Sequence, residues 1–157
     1  MGWGSRRKAL GYGEKGKQPM ALIIRPYQSE DQEAVITLWK DCRLVVPQND
    51  PVADIETKTR FQPDLFLIAR SRGRLVGTVM AGYEGHRGWI NYLAVAPDLR
   101  RRGIGRKMMQ AAEKRLRAVG CPKINLQVRR SNTAVIRFYR SIGFAEDDVI
   151  SLGKRLR

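Results

Sequence analysis

The stretch WINYLAVAPDLRRRGIGRK (Trp89–Lys107) decides how the rest of the chain is read. Trp89 to Val95 is apolar enough for a strand, Pro97 breaks it, Arg100 to Gly105 form an arginine-and-glycine loop, and a helix begins directly after. Glycines at 103 and 105 let backbone amides turn toward one point, and the helix adds its unpaired N-terminal N–H groups and positive dipole end. Such a loop suits an anion, and a pyrophosphate above all. Arg100, Arg101, Arg102, Arg106 and Lys107 surround it with charge, and guanidinium groups grip phosphate with paired hydrogen bonds.

The bulk numbers bound the alternatives. A chain of 157 residues, 43% hydrophobic, is one domain by length and large enough to bury a core. Lys plus Arg outnumber Asp plus Glu by 30 to 15, a net charge of +15 that predicts attraction to polyanions and says nothing about fold. Cys42 and Cys121 make no metal or redox spacing; Cys42 shares a helical face with Val35, Leu38 and Trp39 and reads as a reduced core thiol. No apolar run approaches the ~18 residues a membrane helix needs, so no membrane partner is expected and the cytoplasm is the default compartment.

Outward from the central stretch, the elements follow from period and punctuation. Residues 1 to 19 are glycine-rich and basic, with five Lys or Arg against one Glu, and read as a disordered tail or leader, with Met20 as an alternative start. Gly11 to Gln18 come within one residue of a P-loop, but no strand precedes them and Pro19 stands where a helix should run. Ala21 to Arg25 is a short strand. Ser29-x-x-Gln32 forms a capping box for a helix with Val35, Leu38, Trp39 and Cys42 on one face. Asp50 and Pro51 take the N-cap and first-turn positions of a second helix to about Phe61, polar over much of its surface. Leu65–Ser71, Leu75–Tyr83 and Trp89–Val95 then make an antiparallel meander joined by hairpin turns.

Beyond the loop, Ile104, Met108, Ala111, Ala112, Leu116 and Val119 give a helix its buried stripe, ended by Gly120 and Pro122. Lys123–Val128 reads as a strand and Ser131 with Asn132 opens a helix striped by Val135, Phe138, Tyr139 and Ile142. Phe144–Leu152 supplies a last strand. The order β-α-α-β-β-β-α-β-α-β is an α+β fold, a mixed and mostly antiparallel sheet with helices on both faces.

Arg100-x-x-Gly103-x-Gly105 after an apolar strand resembles the acyl-CoA-binding motif of the GNAT superfamily of N-acetyltransferases. Asn132-x-Ala134-x-Ile136-x-Phe138-Tyr139 through Gly143-Phe144 resembles that superfamily's second motif, and the element order matches from about residue 20 to 152. HRG before the central strand, GCPKI after the third helix and the closing SLGKRL are similar to the bacterial YpeA-type branch. The resemblance implies a GNAT fold whose sheet is splayed at its centre, between the Trp89–Val95 and Lys123–Val128 strands. Acetyl-CoA would lie in that gap as cosubstrate, and an amine would attack the thioester directly in a ternary complex. Leu93 would offer its amide to the thioester oxygen, Ala94 and Val95 would line the pantetheine, and amides from Arg101 through Gly103, Ile104 and Gly105 to Arg106 would hold pyrophosphate, with Arg100 and Asn132 beside the cofactor.

Tyr139, with a phenol pKa near ~10, could protonate the departing thiolate. For the base, histone-acetylating members place a glutamate where this chain has Trp89, and the ribosomal-protein-alanine acetyltransferases place one where it has Gln127. Neither is present; Glu84, His86 and Asp50 are the candidates, with Asn91 able to order a water. Two other readings stand beside this one: a basic RNA- or ribosome-binding module, for which no aromatic-interleaved RNA motif appears, and a catalytically silent CoA-binding protein. The sequence identifies neither the amine acceptor nor whether the chain dimerises.

Overall fold

Alternation between helix and strand periods gives nine regular elements in a computed structural model that describes residues 20–156. The expectations for residues 1 to 19, including the near-P-loop, lie outside the described residues. The elements are β1 (Ile23–Pro26), α1 (Gln32–Asp41), α2 (Pro51–Arg60), β2 (Phe66–Ser71), β3 (Arg74–Tyr83), β4 (Gly88–Val95), α3 (Ile104–Ala118), β5 (Ile124–Asn125) and α4 (Thr133–Ser141). The sheet order is β1-β2-β3-β4-β5, antiparallel throughout except for the parallel β4–β5 pair. This is the expected α+β mixed sheet. Helices cover both faces: Thr78 of β3 meets Trp39 of α1, while a methyl group at its neighbour Gly77 would touch Ile104 of α3. Covered on both sides, β2 and β3 are buried almost without interruption, as a double-faced strand must be.

Four local expectations are corrected. Helix α1 is entered through a single 3-10 turn, Ser29–Asp31, rather than the Ser29/Gln32 box. Asp31 is fully buried; it accepts from the Gln28 amide at 3.0 Å and from Arg25 and Arg70, which bind its two oxygens at 2.7 to 3.0 Å. Burial pushes the Asp31 carboxyl up, but those hydrogen bonds outweigh it and hold the acid below the ordinary aspartate range. In α3 the stripe turns toward Met109, which is buried, and away from Val119, half of which is exposed past the helix end. Strand β5 is two residues long instead of six, and Phe144–Leu152 forms no strand: Val149, Ile150 and Leu152 point outward, 76%, 87% and 91% exposed. Among the described residues no strand lies beyond it, so β5 pairs with β4 alone, in the slightly less stable parallel arrangement. The splay therefore lies between β4 and the edge strand.

Candidate active site

The centre of β4 is not regular. Asn91 pairs with Met80 and Ala94 with Thr78, so Tyr92 and Leu93 together face the single residue Val79: a β-bulge, with Tyr92 at φ +49°. A left-handed backbone is uncommon for a bulky aromatic and persists only where its surroundings fix it. Here three contacts do so. The Thr78 hydroxyl donates to the Tyr92 carbonyl at 2.8 Å and accepts from the Trp39 indole N–H at 2.9 Å. Trp39 stacks on the Tyr92 ring, centroids 4.0 Å apart and 15° from parallel. The Tyr92 hydroxyl donates to Asp54 Oδ2 at 2.6 Å. In a trans peptide the C=O and the following N–H point in opposite directions. With the Tyr92 carbonyl taken up by Thr78 of β3, the Leu93 N–H is turned away from that hydroxyl.

The gap beyond β4 opens because β4 and β5 pair only at Gly88–Ile124 and Trp89–Asn125, with the Gly88 amide donating to Lys123 O at 2.8 Å. Gly88 permits the pairing: a Cβ there would meet the Cys121 sulfur at 2.7 Å. Past Trp89 the strands part. A cavity of about 1460 Å³ lies between β5, α4 and the C-terminal segment, lined by Asn125, Ile136, Tyr139 and Phe144 among others, with Trp89 alone contributed by β4. Asn125 Oδ1 is buried without a hydrogen-bond partner among the described residues. Tyr139 is 9% exposed, held edge-on by Phe138 and Phe144, and its hydroxyl has no partner among the described residues. Burial pushes its phenol up to about 12, so it keeps its proton through the neutral range.

The arginine loop sits at the other end of β4. Arg101 and Gly103 take left-handed conformations, φ +61° and +80°, and Gly103 is the N-cap of α3 with no side chain covering the first turn. The amides of Ile104, Gly105 and Arg106 are thus left for an anion. Gly105 acts differently from the sequence reading: its φ is ordinary, and what it supplies is room, since a Cβ would meet the Phe138 ring at 3.2 Å. Arg102 and Arg101 are exposed. Arg106 donates to Ser141 O at the end of α4 at 3.2 Å. Arg100 reaches back to Val95 O at 3.4 Å, which Cys42 Sγ also approaches at 3.3 Å. Asn132 caps α4 through Val135 N at 3.4 Å.

The base candidates fall elsewhere. Glu84 is in the β3–β4 turn, bonded to the Arg87 amide at 2.9 and 3.1 Å, and that bond holds its carboxyl low. About 17 Å of strand separates the turn from Leu93. His86 shares that turn, and Asp50 is spent capping α2, accepting from Val52 N and Ala53 N at 2.9 and 3.2 Å. Asn91 is exposed on β4, next to the bulge. Sequence reading missed the Asp54–Tyr92–Thr78–Trp39 group, because a bulge leaves no mark in an apolar run.

A splayed strand pair, a bulge in the strand beside it and an uncapped helix start at that strand's end are features that an acyl-CoA site would use. Residues 32–144 match the acetyltransferase (GNAT) family. The chain belongs to that family. It is 53% identical over 135 residues to acetyltransferase ECA0875 of Pectobacterium atrosepticum, covering 86% of this chain and 96% of that protein. With acetyltransferase SG1711 of Sodalis glossinidius the identity is 52% over 136 residues, at the same coverage. In fold it is similar to the aminoglycoside N-acetyltransferase AAC(6')-Iy solved with CoA: TM-score 0.74 at 20% identity, over 90% of this chain and 99% of that one. This GNAT chain is an acyl-CoA-dependent acetyltransferase with acetyl-CoA as cosubstrate, and its own residues fit that group: uncapped amides for phosphate, an open gap, and an orphaned buried acceptor beside it. Among the described residues no helix is long and apolar enough to cross a membrane, and no cluster of His, Cys, Asp or Glu could hold a metal.

Proposed function

We propose that the chain acetylates a primary amine, of a small molecule or of a protein, by direct attack on the thioester in a ternary complex. The observation that carries this reading is the Tyr92–Leu93 bulge, whose peptide is fixed by Thr78 before any substrate arrives. A donor preset where negative charge develops stabilises the transition state without reorganising. Leu93 N–H donates to the thioester oxygen as the C–N bond forms. Tyr139, in the cavity wall, gives its proton to the sulfur as the C–S bond breaks. The amides of Arg101 through Arg106 hold the pyrophosphate. Val95 O already receives Arg100 and Cys42, so pairing with a pantetheine amide displaces one of them.

Isothermal titration with acetyl-CoA at two salt concentrations, beside an RNA oligomer, tests the reading. One site per chain that survives high salt is expected; salt-sensitive RNA binding without acetyl-CoA binding would sink it. Gly103→Glu should abolish acetyl-CoA binding, since the space over that residue is open and would receive a carboxylate where the pyrophosphate belongs. Unchanged affinity would remove the loop from the site.

A further inference from the structure

Attack by an amine needs something to receive the acceptor's positive charge and its proton, and none of the expected bases reaches the bulge. Asp54 does. It lies in the first turn of α2, and its Oδ2 is tied at 2.6 Å to the hydroxyl of Tyr92, the bulge residue itself. The carboxylate therefore stands one tyrosine side chain from the backbone that holds the thioester oxygen. Asn49, in the loop before α2, completes the group by approaching the Tyr92 hydroxyl at 3.4 Å.

The second observation is what Asp54 lacks. The chain carries thirty Lys and Arg, and the other carboxylates near the sheet are committed: Asp31 to Arg25 and Arg70, Asp98 to Arg74, Asp50 to the start of α2. Among the described residues Asp54 forms no ion pair. Lys58, one turn along the same helix face, turns its ammonium to the Ala81 carbonyl instead. Tyr92 satisfies one Asp54 oxygen with a neutral hydroxyl, which leaves the negative charge itself unanswered at the outer end of the Tyr92 side chain.

We propose that Asp54, held in place by Tyr92, binds the ammonium of the acceptor and takes its proton. This rests on the amine-acetylation reading above and names the missing half of it. The ammonium gives one proton to the Asp54 carboxylate. The freed nitrogen then forms the C–N bond, the C–S bond breaks, and the thiolate takes the Tyr139 proton; the nitrogen's second proton returns to the Tyr139 phenolate as the amide forms, and Asp54 passes its proton to solvent. The acceptor class is a cationic primary amine, selected by charge as well as by shape. Acid and base then stand on different helices, α4 and α2.

The test compares two nucleophiles with the full-length chain and acetyl-CoA, following thiol release: n-butylamine, a cation at neutral pH, and hydroxylamine, uncharged there. Asp54→Asn keeps an oxygen for the Tyr92 hydroxyl and removes only the charge. It should lower kcat/KM for n-butylamine by about 10²-fold or more, through both kcat and KM, while hydroxylamine turnover and acetyl-CoA affinity stay near wild type. Tyr92→Phe, which frees the carboxylate without neutralising it, should cause a smaller loss of the same selectivity. Equal loss with both nucleophiles, accompanied by a fall in Tm, would make Asp54 a fold residue and overturn the proposal, as would unchanged n-butylamine turnover. Acetyl-CoA binding with no transfer to either nucleophile also overturns it, whereas no acetyl-CoA binding overturns the underlying reading instead.

Discussion

Residues 20 to 119 and residues 120 to 156 are built to different standards. The first part holds every fully buried aliphatic side chain of the described core, and its strands are flanked by α1 and α3; from the second part only Tyr139 enters that core. Val149, Ile150, Leu152 and Leu156 are exposed, and β5 is pinned by two residue pairs. The difference teaches how the chemistry is divided. The amide that must not move is set in the rigid part, locked by Trp39, Thr78 and Asp54. On the proposed reading, the acid Tyr139 belongs to the part with little packing of its own, where a ligand would supply the missing contacts.

The contrast breaks most visibly at Trp39. Trp39→Ala should cost about 3–5 kcal/mol, read from urea unfolding, because it empties a fully buried site and unseats the Tyr92 ring. Ile150→Ser, its counterpart in the exposed segment, should stay within about 0.5 kcal/mol of wild type. Comparable losses would mean that the two parts share one core.

Tyr139→Phe should lower kcat by roughly 10²- to 10⁴-fold with acetyl-CoA affinity and melting unchanged, since the ring and its edge contacts remain. Full activity would leave Tyr139 a packing residue and strip the looser part of its catalytic role. Thr78→Val comes next. It orphans the Trp39 N–H and the Tyr92 carbonyl at once, an expected loss of about 1–3 kcal/mol with a matching drop in kcat. A loss of stability with kcat preserved would show that the bulge holds its shape without the hydroxyl.

The smallest effects are those of pH. Asp31 lies in the rigid part, and its folded pKa is below the unfolded value; its contribution is complete above about 3.9 and disappears as pH falls through the lower folded value. Asp31→Asn should therefore flatten the acid limb of the stability profile. Tyr139 has the opposite sign: raised to about 12, it favours the folded chain fully below the free phenol range near ~10 and loses that favour as pH climbs to about 12. Tyr139→Phe should remove part of the alkaline limb.

What could be read from the sequence follows the same division. The meander was legible because Phe66–Ser71, Arg74–Tyr83 and Gly88–Val95 have β-type composition, with Arg72-Gly73 supplying the left-handed turn between the first two. The cap of α2 was legible in Asp50-Pro51, and the start of α3 in Gly103. Phe144–Leu152 misled because alternating apolar residues announce a strand only where a neighbouring edge accepts it, and β5 is too short to do so. The bulge and Asp54 were illegible for another reason. Their meaning comes from a two-against-one register and from a contact 38 residues apart along the chain, neither of which has a local signal.

Gly105 and Phe138 touch where α3 meets α4, so the helix that carries Tyr139 is braced on the helix whose first turn is left uncapped at Gly103. On the proposed reading the nucleotide end of the cosubstrate is a lever as well as a handle: a grip on α3 would be transmitted through one aromatic ring to Tyr139. A truncated thioester such as acetyl-pantetheine, which has no nucleotide to seat there, should lose turnover rate and not merely affinity. Gly105→Ala, by pushing that ring aside, should make the full-length cosubstrate behave like the truncated one.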